Sequence, residues 1–211
     1  MSKIAELAHA VEIGKSKLVP GLVQAAVEEG NDPVEILNKG MIDAMAIVGE
    51  KFKAGEIFVP EMLVAAKAMK KGGEALKPHL GGDNTHKIGK MAMGTVYGDL
   101  HDIGKNLVIM MIESTGYEVV DLGIDVPVES FVEAANDPEV TVIGVSALLT
   151  TTMGAMQDVV SALNKHPLRG EFKIMVGGAP ITEAFAKEIG ADVYTEDAAS
   201  AGQAAKALAA N

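Results

Sequence analysis

Two rhythms of apolar residues divide the chain. Up to about residue 80 the spacing is helical. Val34, Leu37, Met41, Met45 and Val48 recur at steps of three or four, and Met62, Ala65, Met69, Gly73, Leu76 and Leu80 continue the rule. That spacing gathers apolar side chains on one face of a helix. Boundary signals agree with it. Asp32 can accept from the first free N–H groups of a helix, Pro33 suits its first position, and Glu35 stands where a capping-box carboxylate reaches back. Gly30 can terminate the helix before it. Four helices are predicted, near 2–12, 16–29, 33–51 and 59–79, packed as a small bundle.

Gly81-Gly82-Asp83-Asn84-Thr85-His86 reads as a polar linker, and after it short apolar runs alternate with helical stretches. Lys90–Tyr97 precedes Ile103–Ser114, Tyr117–Leu122 precedes Val128–Asn136, and Thr141–Leu149 precedes Met153–Asn164. Lys173–Val176 precedes Thr182–Glu188, and Asp192–Tyr194 precedes Ala199–Ala209. Five such strand–helix units predict an α/β domain with a doubly wound, parallel, five-stranded sheet in a flavodoxin-like order. The expected domains are therefore 1–86, a helical cap, and 87–211, the sheet domain. No fixed-period repeat points to a solenoid.

Charge and composition narrow the chemistry. Basic residues number 18 and acidic residues 29, for a net charge of −11. The excess is concentrated late: ten lysines face twelve acids before residue 87, and eight basic residues face seventeen acids from residue 87 onward. Such a field repels a phosphate backbone, so nucleic acid is not an expected partner. Arg169 is the only arginine, which argues against a bidentate phosphate or carboxylate clamp. The absence of cysteine excludes disulfides, thiolate metal sites and a cysteine nucleophile. Glu6 and Glu12 interrupt the N-terminal segment, which does not read as a signal peptide. No apolar run approaches the ~18 residues of a membrane span. A soluble, cytoplasmic chain is expected.

In an open parallel sheet, ligands bind beyond the carboxyl ends of the strands, where the strand order reverses. Three loops would converge there: Gly98-Asp99-Leu100-His101-Asp102-Ile103-Gly104, Ser146-Ala147-Leu148-Leu149-Thr150-Thr151-Thr152, and Gly177-Gly178-Ala179-Pro180. A nucleotide-binding first loop would carry glycines and hydroxyls around a phosphate. Here two aspartates would repel one. An imidazole two residues from Asp99 reads as a metal ligand backed by a carboxylate, or as a surface histidine beside helix-capping acids. His9, His79, His86 and His166 are scattered, so an all-protein zinc site is not indicated. One protein ligand makes sense only if a cofactor supplies the others. The hydroxyls of Ser146, Thr150, Thr151 and Thr152 suit either a polar ligand edge or capping of the helix near Met153. Gly177-Gly178 permits close backbone approach to a ligand or a tight turn.

Taken together, Asp99-x-His101-x-x-Gly104, Ser146-x-Leu148 and Gly177-Gly178 resemble the signature of cobalamin-binding Rossmann-like domains. Gly49-Glu50-Lys51-Phe52 and Gly55-Glu56-Ile57-Phe58-Val59-Pro60-Glu61-Met62 are similar to the helical cap that precedes such a domain in corrinoid methyltransferases. The resemblance covers nearly the whole chain and is to stand-alone corrinoid proteins of three-component methyltransferase systems. It implies a cobalamin or related corrinoid with His101 as lower axial cobalt ligand, in place of the cofactor's own dimethylbenzimidazole. Asp99 would accept a hydrogen bond from the other ring nitrogen, and Thr152 would complete the relay where many relatives carry serine. Gly104 would leave room for the displaced nucleotide tail. Ser146, Leu148 and Thr150 would line that tail, with Gly177 and Gly178 on its far side. Gly98, Leu100, Asp102 and Ile103 would belong to the same cofactor loop.

The resemblance further implies a methyl carrier. Its Co(I) form would accept a methyl group from a substrate-specific methyltransferase, with methylamines, betaines, methanol or aryl methyl ethers as donors. Its methyl-Co(III) form would pass that group to a second methyltransferase serving a tetrahydrofolate-type or thiol acceptor, and a reductive activase would be a further partner. Phe58 would shield the upper corrin face, with gating at the 81–87 linker; plain helical core is the other reading of Phe58 and Met62. The chain offers no general base of its own for demethylation and is not expected to be catalytic alone. The small subunit of an adenosylcobalamin-dependent mutase shares Asp-x-His-x-x-Gly, but such subunits generally lack this cap. A flavodoxin-like electron carrier is opposed by the acidic first loop and the absence of tryptophan. A receiver domain needs an aspartate where the third strand ends at Ser146, and a cobalamin-sensing regulator needs an effector module beyond the two domains.

Overall fold

The computed structural model describes residues 2–79 and 87–209. They fall into two compact units, Met1–Lys87 with Ser114–Gly116 and Ile88–Glu113 with Tyr117–Asn211. The expected linker over 81–86 lies outside the described residues, as does all of the 81–87 hinge except Lys87.

The first unit is helical: α1 (Lys3–Glu12), α2 (Val19–Glu28), α3 (Pro33–Leu37), α4 (Asp43–Lys53) and α5 (Val59–Leu76). Ser2 caps α1 by accepting from Ala5 N–H, and Asp32 caps α3 by accepting from Val34 N–H at 3.2 Å. Glu35 pairs with Lys39 at 2.7 Å, four residues on. The expected helix over 33–51 is present but not uniform. A π-turn at Asn38–Ile42 joins α3 to α4 and places Gly40, Met41 and Ile42 in succession in the core. The wider turn shifts the helical phase, so that Met41 and Ile42 are buried together beside the close-packed Gly40. It also moves the apolar face: Ile36 is fully buried, while Val34 and Leu37 are half-buried. On α5, Met62, Ala65, Met69 and Leu76 are buried as the spacing predicts, but Gly72 rather than Gly73 packs inward.

The second unit holds strands β1 (Gly89–Val96), β2 (Tyr117–Val126), β3 (Val140–Ser146), β4 (Lys173–Gly177) and β5 (Val193–Thr195), all parallel, in order β2-β1-β3-β4-β5. Between them run α6 (Ile103–Glu113), α7 (Val128–Ala134), α8 (Met153–Asn164) and α9 (Glu183–Ile189), and α10 (Ala198–Ala209) follows β5. Strand period two explains the two cores. Ala92, Ile143, Val145, Ile174 and Val176 face Phe131 of α7, Met156 and Val160 of α8, and Ile189 of α9. Met91, Met93, Val142 and Met175 face Ile112 of α6 and Ala201 and Ala205 of α10. The doubly wound parallel sheet is thus observed, and its order reverses between β1 and β3.

One difference matters for the site. β2 was expected to end at Leu122 and runs on to Val126. Its pairing with β1 is irregular: Met93 pairs with Asp121, Gly94 with Gly123, and Val96 with Val126. β2 therefore carries extra residues opposite the end of β1, the signature of bulged pairing, which twists a strand and re-aims its side chains.

The ends of β3 and β4 approach closely. A Cβ on Gly178, whose φ is +137°, would lie 1.8 Å from the carbonyl oxygen of Ala147. Gly178→Ala should therefore destabilise the fold by about 2 kcal/mol or more, through backbone overlap and strain together. Gly154 lies exposed in the first turn of α8, with nothing within 4 Å of an added Cβ. Gly154→Ala should stabilise by about 0.5–1 kcal/mol. Urea unfolding of the two variants against the parent checks both signs.

Candidate cofactor site

The loop after β1 begins with Gly98, whose φ of +79° turns the chain sharply. Asp99 then enters the protein with its side chain fully buried. All four of its close partners are donors. Oδ1 accepts from His101 N–H at 3.1 Å and lies 2.7 Å from His101 Nδ1. Oδ2 accepts from Leu148 N–H at 2.7 Å and from the Thr152 hydroxyl at 2.8 Å. Burial pushes the Asp99 carboxyl toward a higher pKa. The Leu148 N–H, the His101 imidazole and N–H, and the Thr152 hydroxyl outweigh it and hold the group well below the ordinary carboxylate range. Asp99 is therefore an ionised acceptor at neutral pH. Because a carboxylate in this state can only accept, Nδ1 carries a proton, and in the neutral ring the lone pair is on Nε2. The His101 side chain is 49% exposed, so the ring is held at one edge and open to solvent elsewhere.

The carboxylate joins the two loops on either side of the strand-order reversal. Thr152, the last residue of a 3₁₀ turn (Thr150–Thr152), does not cap α8 through its side chain; its hydroxyl is committed to Asp99, with Leu149 C=O also within 3.0 Å. The added methyl of threonine is accommodated: a Cβ placed on Gly98 would still be 3.8 Å from Thr152 Cγ2. Ser146 ends β3 and pairs in register with Thr95 on one side and Gly177 on the other. Gly177 and Gly178 follow β4, and Gly177 C=O accepts from Ala147 N–H at 3.3 Å. Leu148 and Thr150 are exposed on the β3 loop. Asp102 is exposed and accepts from the Asn106 amide at 3.3 Å. An added Cβ on Gly104 would meet nothing within 4 Å, so open space lies beside the first turn of α6. Phe58 belongs to the helical unit, where its N–H donates to Glu61 at the start of α5. It is 66% exposed and so is not core, whereas Met62 is.

Four further residues brace the loop and were not singled out from the sequence. The buried Thr95 hydroxyl donates to His101 C=O at 3.0 Å. Asp125 accepts from Gly98 N–H at 2.7 Å, and its own N–H donates to Asp99 C=O at 3.0 Å. Lys105, buried in the first turn of α6, donates to both oxygens of Asp121 at 2.7 Å. A lone lysine in the apolar run of α6, and the Asp121-x-Gly123-x-Asp125 spacing after a strand, were the available signals.

Among the described residues no three His, Cys, Asp or Glu side chains gather to hold a bare metal ion. A metal on Nε2 must bring its remaining ligands with it. The surroundings suit a large, flat, mainly apolar chelate: Leu100 and Ile103, flanking His101 in sequence, are 69% and 74% exposed, and Tyr97, Leu148 and Leu149 are exposed on the same two loops. The residues present thus fit a corrinoid, with His101 as the protein's single donor and Gly104 beside the open space.

Comparison with known proteins points the same way. Residues 89–205 and residues 3–77 each match a family described as a B12 binding domain. The chain is 45% identical to dimethylamine corrinoid protein 1 of Methanosarcina acetivorans, over 97% of this chain and 96% of that protein. It resembles the crystal structure of a cobalamin-binding protein from Desulfitobacterium hafniense, with a TM-score of 0.83 and 30% identity over 97% of this chain and 98% of that one. It also resembles a methanol:cobalamin methyltransferase complex from Methanosarcina barkeri, with a TM-score of 0.84 and 33% identity over 99% of this chain and 80% of the matched chain. Among the described residues no helix is long and apolar enough to cross a membrane. With two B12 binding domains in tandem and relatives of this kind along almost its full length, the chain belongs to the corrinoid proteins of cobalamin-dependent methyltransferase systems.

Proposed function

We propose that the protein binds its corrinoid with His101 as the lower axial cobalt ligand. It would receive a methyl group from a substrate-specific methyltransferase and surrender it to a second one. The observation that carries this reading is the buried Asp99 carboxylate, which fixes the proton of His101 on Nδ1 and leaves Nε2 as an open donor. When bound, the cobalt supplies a centre that alternates between a nucleophilic Co(I) state and a methylated state. The chain's own residues do the rest. Asp99 and Thr152 orient the imidazole and hold its Nδ1 proton; the second carboxylate oxygen, tied to Leu148 N–H, keeps the two loops together. Gly104, Ser146, Leu148, Thr150, Gly177 and Gly178 provide the place for the nucleotide tail. The names of the methylamine relatives support a methylated amine as the donor class. A tetrahydrofolate-type or thiol acceptor and a reductive activase complete the proposed system.

Incubation with hydroxocobalamin and exhaustive desalting should leave stoichiometric corrinoid whose absorbance lacks the benzimidazole-ligated signature. His101→Ala should lose the axial-imidazole signature while retaining pigment through its tail. Absence of retained pigment in the parent would overturn the reading.

Asp99→Asn tests the donor. An amide can offer only one acceptor atom, so its NH2 must face either the His101 pair or the Leu148–Thr152 pair of donors. A loss of about 1–3 kcal/mol at neutral pH is expected. The folded-state pKa of Asp99 is depressed, so its stabilisation is fully present above the ordinary carboxylate range and is lost as pH falls below about 4. The gap between parent and variant in urea unfolding should therefore narrow on acidification. A constant gap from neutral to acid pH would count against an ionised Asp99.

A further inference from the structure

We propose that the bulged end of β2 is a two-point latch that aims the axial-ligand loop, with Asp125 and Asp121 as positioning residues. The inference rests on the reading of His101 as ligand and goes beyond it, because neither aspartate touches the imidazole. The loop from Gly98 to Lys105 must hold one histidine at one angle, yet it contains a left-handed glycine at one end and open space beside Gly104. It is pinned where it leaves β1 and where it enters α6, both times by β2.

At the first point Asp125 makes a reciprocal pair with the turn. Its Oδ1 accepts from Gly98 N–H at 2.7 Å, and its N–H donates to Asp99 C=O at 3.0 Å. These bonds fix the Gly98–Asp99 segment from both sides. Asp125 achieves this at φ +52°, the only described residue other than glycine in the left-handed region. An unstrained strand would not present the side chain and the N–H to one turn together; aspartate tolerates this conformation better than most residues.

At the second point Asp121 holds α6. Lys105 Nζ donates to both Asp121 oxygens at 2.7 Å and to Asn106 Oδ1 at 2.8 Å, using its three N–H bonds. Its side chain is buried, and the charge is met by the partly exposed Asp121 carboxylate at the surface. Asp121 Oδ1 also accepts from Gly123 N–H at 2.9 Å, which shapes the bulge leading to Asp125. The two latch points are therefore built from one irregular stretch of strand. The Thr95 hydroxyl on His101 C=O braces the middle of the loop from β1.

The test separates aim from folding. Asp125→Gly keeps the left-handed conformation and removes the acceptor, whereas Asp125→Asn keeps both. In the apoprotein, amide hydrogen exchange at Gly98 should quicken by about tenfold in Asp125→Gly and stay near the parent rate in Asp125→Asn. In the reconstituted Co(II) form, electron paramagnetic resonance should show nitrogen coupling from the axial imidazole in the parent and in Asp125→Asn. That coupling should be weakened or partly lost in Asp125→Gly. Lys105→Met should reduce it as well, by freeing the second point. Unchanged Gly98 exchange in Asp125→Gly would overturn the latch, and so would full coupling in that variant despite lost protection. If the parent itself shows no nitrogen coupling, the ligand assignment fails instead, and the exchange arm alone decides whether the latch exists.

Discussion

The Asp99 carboxylate is buried where the strand order reverses, and every group within its reach gives it a hydrogen. Two donors come from its own loop and two from the loop after β3, so one charge closes the crevice that a doubly wound sheet otherwise leaves open. Removing water from a carboxylate is costly, and only a full set of donors makes it tolerable. The imidazole is one of those donors. One bond thus serves both to satisfy a buried charge and to fix a proton on Nδ1 of the imidazole.

With Asp99 and Thr152 turned inward, the two loops expose Tyr97, Leu100, Ile103, Leu148 and Leu149, alongside the polar Asp102, Thr150 and Thr151. A phosphate-binding loop at the same place in such a sheet would show amides and hydroxyls outward. Here the first loop turns its Asp99 carboxylate inward and exposes Leu100 and Ile103, which suits an apolar ligand surface.

Much of this was legible in the sequence, for identifiable reasons. The change of apolar spacing near residue 80 separated helices from strand–helix units, because periods of 3.6 and 2 are hard to confuse over such lengths. Asp99 and His101 follow β1 and Thr152 lies in the loop after β3, so position marked them as candidates, while their joint role came only with the resemblance to cobalamin-binding domains. Two things were hidden. The π-turn at Asn38–Ile42 leaves no trace in a helical spacing rule, since Met41 fits the rule whether or not Gly40 and Ile42 join it inside. The end of β2 was missed because the predicted strand stops at Leu122, where Gly123 and Asp125 break the apolar run. They are strand residues whose polarity serves the neighbouring loop, and only the pairing with β1 reveals it.

The bonds that unite Asp99 with Leu148 and Thr152 span 49 and 53 residues of chain. Bringing residues so far apart in sequence together carries a loop-closure cost, and the complete bond set requires β3 to lie beside β1. During synthesis, the segment containing His101 emerges well before its far partners exist. Until β3 and the turn at Thr150–Thr152 have been made and folded, the imidazole lacks the completed charge that sets its proton. The order of the chain therefore leaves the donor set around Asp99 incomplete until β3 and the turn after it are in place.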